Sequence, residues 1–127
     1  MRVLLDTHVF LWWANDDRRL SAPARKAIAD AADAFLSVAS CWEMAIKVSR
    51  GRLTLPRPIE QFVPEQLGMN GVQLLQIELD DVARVATLPF HHRDPFDRLL
   101  AAQALSEELT LVSADPVFRK YGVKRAW

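Results

Sequence analysis

Five carboxylates, Asp6, Glu43, Asp94, Asp97 and Asp115, stand where an α/β fold would gather them. Asp6 closes an apolar run that starts at Val3, and Asp115 follows a second apolar run ending at Val112. Glu43 lies about one helical turn past a third run, residues 34–38. Ligands in parallel α/β sheets bind outside the carboxyl ends of the strands, which is where such acids converge. Carboxylates in contact repel, and some must take up protons unless a cation intervenes. Oxygen donors without Cys or His at metal-ligand spacing favour Mg²⁺ or Mn²⁺ over Zn²⁺. Such an ion activates water and neutralises charge on an in-line phosphoryl transition state. The number of acids is compatible with one ion or two.

The stretch Asp94-Pro95-Phe96-Asp97-Arg98-Leu99-Leu100 sets the geometry of the remaining acids. Pro95 disfavours a helical Asp94, which places Asp94 at an N-cap and Pro95 at the first helical position. Asp97 then falls in the first turn on the same face. From Leu99 to Leu105 only Gln103 is polar, the pattern of a buried central helix. Asp94 has two readings, helix cap and additional ligand. Glu43 also has two, metal ligand and partner of Ser40 in a capping box ahead of a helix at 44–50. Arg93 and Arg98 flank the acids and are read as phosphate contacts or as ion-pair partners of neighbouring acids. His91 and His92 lack the helical spacing of a two-His metal site and are read as a solvated loop or phosphate contact. Phe10, Trp12, Trp13 and Trp42 are read as core or subunit contacts.

The elements alternate. Short apolar strands are expected at 2–5, 34–38, 72–77, 110–112 and 123–127. Helices are expected at 8–14, from Ser21 to about residue 32, at 44–50 with Gly51 as a stop, and at 59–69 despite Pro64. A short helix capped by Asp80, the helix after Asp94 and a last short helix at 117–121 follow. This alternation indicates an α/β fold with a central, mainly parallel sheet flanked by helices.

The 127 residues suit one domain, 1–127, and half of them are apolar, enough for a substantial core. No uncharged apolar run approaches a membrane span, and the first residues do not form a secretion signal. Cys41 is the only cysteine and reads as a packing residue. Its isolation fits a reducing, cytoplasmic setting. Net charge is zero, with 16 basic and 16 acidic residues. If five acids share one pocket, the remaining 11 face 16 Lys and Arg elsewhere. An acidic pocket inside a basic surround suits an acidic polymer.

Asp6-Thr7-His8 after a first strand, Ser40-x-x-Glu43, Asp97-Arg98-Leu99-Leu100-Ala101-Ala102 and Ser113-Ala114-Asp115-x-x-Phe118 resemble the motifs of PIN-domain ribonucleases. Among these the chain is most similar to the VapC-type toxins of bacterial toxin–antitoxin pairs. The Arg93–Arg98 string is similar to one subgroup of them. The resemblance implies a PIN-like fold and a Mg²⁺-dependent endoribonuclease that leaves 5′-phosphate and 3′-hydroxyl ends. It also implies a homodimer and inhibition by a cognate VapB-type antitoxin. It assigns Asp6, Glu43, Asp97 and Asp115 to the metal-binding acidic set, with Asp94 extra to the general pattern. Residues 52–76 carry no motif that transfers.

Three other classes meet obstacles. A phosphoacceptor receiver domain needs an acidic pair after its first strand and a late Lys, and neither is present. A haloacid-dehalogenase-type phosphatase needs Asp where His8 stands. A binding module that keeps only the fold has no use for the full acidic set. A housekeeping RNA-processing nuclease would share the chemistry but have no antitoxin.

Overall fold

The computed structural model describes residues 1–127. Five parallel strands form one sheet: β1 (Arg2–Leu5), β2 (Asp33–Ser37), β3 (Val72–Leu75), β4 (Thr110–Val112) and β5 (Arg125–Ala126), in the order β3-β2-β1-β4-β5. The central strand β1 runs Val3, Leu4, Leu5, all fully buried. Successive side chains of a strand point to opposite faces. Val3 and Leu5 accordingly join one core, and Leu4 joins the other. That double burial is why β1 reads as an unbroken apolar run rather than an alternating one.

The helices cover both faces. α1 (Thr7–Ala14), α2 (Ala22–Ala29), α3 (Val38–Ser49) and α4 (Ile59–Asn70) contribute Phe10, Ile28, Met44 and Phe62 to the first core. α6 (Pro95–Ser106) closes the second with Leu100, Ala101 and Ala104. A 3₁₀ segment, Pro116–Tyr121, adds Phe118 and Tyr121 to it. The short α5 (Leu79–Val85) packs outside, on α6. No helix is long and apolar enough to cross a membrane.

Several expectations hold. Asp94 caps α6, its Oδ1 accepting from the N–H groups of Phe96 at 2.8 Å and Asp97 at 3.3 Å. α6 is the buried central helix, and its fully buried Gln103 accepts from Ser37 Oγ and donates to the Gln76 carbonyl. Gly51 stands just past the C-cap of α3 at φ +69°, in the left-handed region that favours glycine. β3 alternates poorly because it is an edge strand with Gln73 and Leu74 exposed.

Others need correction. α3 starts earlier than expected. Ser37, not Ser40, is its N-cap and accepts from Ala39 N–H at 3.0 Å, so Ser40 and Glu43 do not form a capping box. The start of α5 is tied by Asp81 rather than Asp80, through the Glu78 N–H at 2.9 Å. The last strand shrinks to two residues, Arg125–Ala126.

Arg98 is the largest departure. It is buried, and its guanidinium donates to the carbonyls of Pro89 (2.8 Å), Val85 (3.1 Å) and Leu88 (3.2 Å). Phe90 lies against it, 4.2 Å from the guanidinium carbon to the ring centre. The expected phosphate contact therefore does not hold for Arg98, because its donors are spent on the connection between α5 and α6. A planar fork satisfies three carbonyls at once, which a lysine ammonium cannot match. Arg98→Lys is expected to cost about 2 kcal/mol in urea melts, as carbonyls lose charged donors. A loss under ~0.5 kcal/mol would show that water replaces the guanidinium freely.

Candidate active site

The sheet order places a switch point between β1 and β4, since the chain leaves β1 toward β2 on one side and returns to β4 on the other. The crevice above such a point is where α/β sheets bind ligands. A cavity of about 280 Å³ lies there, and Asp6, Glu43, Asp94, Asp97 and Asp115 all line it. Residues 109 positions apart in the chain thus share one wall.

Each acid is fastened to the scaffold. Asp6 caps α1, with Oδ1 accepting from Thr7 N–H at 2.7 Å and Oδ2 from Ser113 Oγ at 2.7 Å. Asp115 caps the 3₁₀ segment through Val117 N–H at 2.9 Å. Glu43 projects from the interior of α3. Its Oε1 lies 2.8 Å from Thr7 Oγ1, which in turn is 2.8 Å from Ser40 Oγ. A carboxylate only accepts and a hydroxyl has one proton. The chain therefore runs Ser40 to Thr7 to Glu43, each hydroxyl donating onward. Lys47 meets the other oxygen, Oε2, at 2.9 Å, one turn along the same helix.

The support that Thr7 and Ser40 give Glu43 is not legible in the sequence, although both lie inside the quoted motifs. Hydroxyls have many roles, and nothing in their spacing says that they point at the same carboxylate. His92 is not the solvated loop residue that its position suggests. Its Nε2 lies 2.9 Å from Asp97 Oδ2 and 3.2 Å from Asp115 Oδ2. Its Nδ1 accepts from Asp94 N–H at 3.1 Å. In the neutral ring the proton therefore sits on Nε2, directed at the two carboxylates. The backbone of His92 is held by Tyr121 Oη at 2.8 Å, and the His91 ring packs edge-on against Tyr121. Of the pair, His92 belongs to the site and His91 to its support. Arg93 is exposed and lies outside the cavity lining.

The electrostatics follow from the crowding. Burial pushes the Asp97 carboxyl up to about 8, and the charges of Asp6, Asp94, Glu43 and Asp115 add to that shift. Burial also raises Asp6, opposed by its bond from Ser113. Such a set fits a divalent cation. Its donors are mostly oxygen, one Asp97 oxygen has no partner, and the facing atoms of His92, Asp97 and Asp115 lie within 4.8 Å of one another.

The PIN domain matches residues 3–124. The chain belongs to the PIN-domain family. It is 32% identical over 120 residues to ribonuclease VapC22 of Mycobacterium tuberculosis, covering 94% of this chain and 91% of that protein. Its fold is that of VapBC2 from Rickettsia felis bound to a promoter DNA fragment, with a TM-score of 0.71 at 14% identity, covering 98% of this chain and 97% of that one. DNA-bound VapBC from Salmonella typhimurium gives 0.69 at 13% identity, covering 98% and 96%. This PIN domain is therefore a homologue of the VapC-type ribonucleases, whose family works with divalent metal.

The raised Asp97 has a measurable consequence. Between pH 4 and 8 the unfolded chain releases a proton that the metal-free folded protein keeps, since the folded value is about 8 against an ordinary 3.8. Metal-free stability should therefore fall as pH rises through that window, with a slope approaching ~1.4 kcal/mol per pH unit. Below the window this group has no effect, and above it the loss is complete. Asp97→Asn should flatten the slope in EDTA and shrink the stabilisation gained on adding Mg²⁺. Asp94→Ala should instead lose roughly 0.5–2 kcal/mol with or without metal, as a lost cap does. Thermal melts of both variants from pH 4 to 8 check this. A steep slope surviving in Asp97→Asn would clear Asp97 of the strain.

Proposed function

We propose that this PIN domain is a Mg²⁺-dependent endoribonuclease, with Mn²⁺ accepted, acting as the toxin of a VapBC-type pair. The observation that carries this reading is one cavity lined by five acids at the carboxyl ends of β1 and β4. Its likeness to a protein named as a ribonuclease supports RNA as the polymer. Asp6 and Asp97 hold the ion, and Glu43 and Asp115 complete or orient its shell. When bound, the ion supplies an activated water and offsets charge on the phosphodiester in the transition state.

The chain's own residues do the positioning. Ser113, Thr7 and Ser40 hold Asp6 and Glu43 in one orientation, so little reorganisation is needed when the ion and substrate arrive. His92 aligns Asp97 with Asp115 by donating between them. Asp94 sets the start of α6 and so the place of Asp97. Exposed Arg93 contacts RNA phosphate at the mouth of the site. The likeness to VapBC complexes supports a VapB-type antitoxin as partner, and a homodimer is the form proposed to meet it.

Mg²⁺ or Mn²⁺ is expected to support cleavage of RNA, with Asp6→Asn removing cleavage by orders of magnitude and most metal binding. Calorimetry beside a gel assay measures both, and cleavage undiminished in excess chelator would sink the reading. Expression of the chain alone should arrest growth, and co-expression of its antitoxin should restore it. A saturating antitoxin that leaves nuclease activity intact would remove the inhibitory part.

A further inference from the structure

Beside the acidic cavity lies a second one, about 380 Å³, of opposite character. Arg19, Lys47 and Arg52 line it, and no Asp or Glu does. It shares His8, Trp12 and Lys47 with the acidic cavity, so the two are adjacent. Its volume falls within the ~300–1,000 Å³ of small-ligand sites. That is room for one nucleotide unit rather than a folded partner.

The cations differ in what already engages them. Arg19 is gripped by Asp17 through Nε at 3.2 Å and a terminal nitrogen at 2.8 Å, and lies over the Trp12 ring with its guanidinium carbon 5.3 Å from the centroid. Lys47 is shared with Glu43. Arg52 is exposed and makes no ion pair, although its backbone is fixed by a 2.8 Å bond from its N–H to the Lys47 carbonyl. The left-handed turn at Gly51, φ +69°, brings the chain back so that Arg52 stands over the cavity. On the wall, the His8 and Trp12 rings lie 5.8 Å apart, His8 exposed and Trp12 half-buried.

Cations on a rim beside aromatic rings form the chemistry that holds single-stranded nucleic acid, with phosphate on the charges and a base against a ring. We propose that this cleft is a subsite for the RNA nucleotide next to the scissile phosphodiester, its phosphate held by Arg52 and Lys47 and its base against His8 and Trp12. The subsite rests on the nuclease reading, because adjacency to the acidic cavity is what makes its ligand part of the same strand. It also answers the problem of a neutral chain binding a polyanion. The acids repel phosphate, and the adjoining cleft is where attraction is available.

The test is the salt dependence of binding. A short fluorescent single-stranded RNA is titrated into the full chain carrying Asp6→Asn, so that the probe is not consumed. Each phosphate contact to a single strand contributes about 0.7 to the slope of log K against log salt. Arg52→Gln should lower the magnitude of that slope by about 0.7 and weaken binding several-fold. Arg52→Lys should restore both, and Lys124→Gln, at the opposite end of the sheet, should change neither. A slope unchanged in Arg52→Gln overturns the proposal. So does an Arg52→Gln effect confined to antitoxin affinity, which would assign the cleft to the protein partner. Cleavage by the unaltered chain in Mg²⁺ is scored separately. Its absence would fail the nuclease reading, whereas an unchanged slope with cleavage intact would fail the subsite alone.

Discussion

Mutual repulsion among carboxylates is the constraint on which the rest of this molecule depends. Asp6, Glu43, Asp94, Asp97 and Asp115 face one cavity, and burial, with the charges of its neighbours added, pushes the Asp97 carboxyl up to about 8. Left alone, such a group would relax by turning its side chains outward. The sheet and helices prevent this by placing each acid at a helix start or inside a helix, where its direction is dictated by backbone geometry. Asp6, Asp94 and Asp115 are all N-caps. The unpaired N–H groups and positive end of a helix or turn stabilise a carboxylate there. Local capping energy thus offsets part of the cost of crowding the acids.

A second layer holds the first. Ser113 and Thr7 donate to Asp6 and Glu43, and Ser40 donates to Thr7. His92 donates between Asp97 and Asp115 from a loop that is itself held by Tyr121. Arg98 staples the same connection through three carbonyls. A long, irregular connection thereby becomes rigid enough to carry a residue of the site. Arg98 does not line the cavity, yet the placement of His92 follows from the order it imposes.

The zero net charge is an average over two regions of opposite sign. Acids collect in the cavity above β1 and β4, and Arg19, Lys47 and Arg52 collect without acids in the cleft beside it. Lys47 joins the two, paired with Glu43 on one side and lining the cleft on the other. A polyanion therefore meets attraction and repulsion within one nucleotide's reach, and a divalent cation changes the balance at the acidic end only.

The strands β1 and β4, the capped start of α6 at Asp94 and its buried length were legible because each depends on local rules. A doubly buried strand is an apolar run, Asp-Pro starts a helix, and an apolar helix is interior. The acidic set was legible because strand ends in a parallel sheet converge. The direction of a side chain was not. Ser40 and Glu43 satisfy a capping-box pattern, but α3 starts directly after β2 and Ser37 takes the cap, which frees both for Thr7. Arg98 reads as a flanking cation, but burial of α6 turns it onto carbonyls. His92 reads as loop, but the fold of that loop against Tyr121 brings its ring between two acids. The sequence by itself determined which elements form and which acids meet. Only the tertiary structure decided what each polar side chain points at, because that depends on neighbours distant in the chain that local preference does not specify.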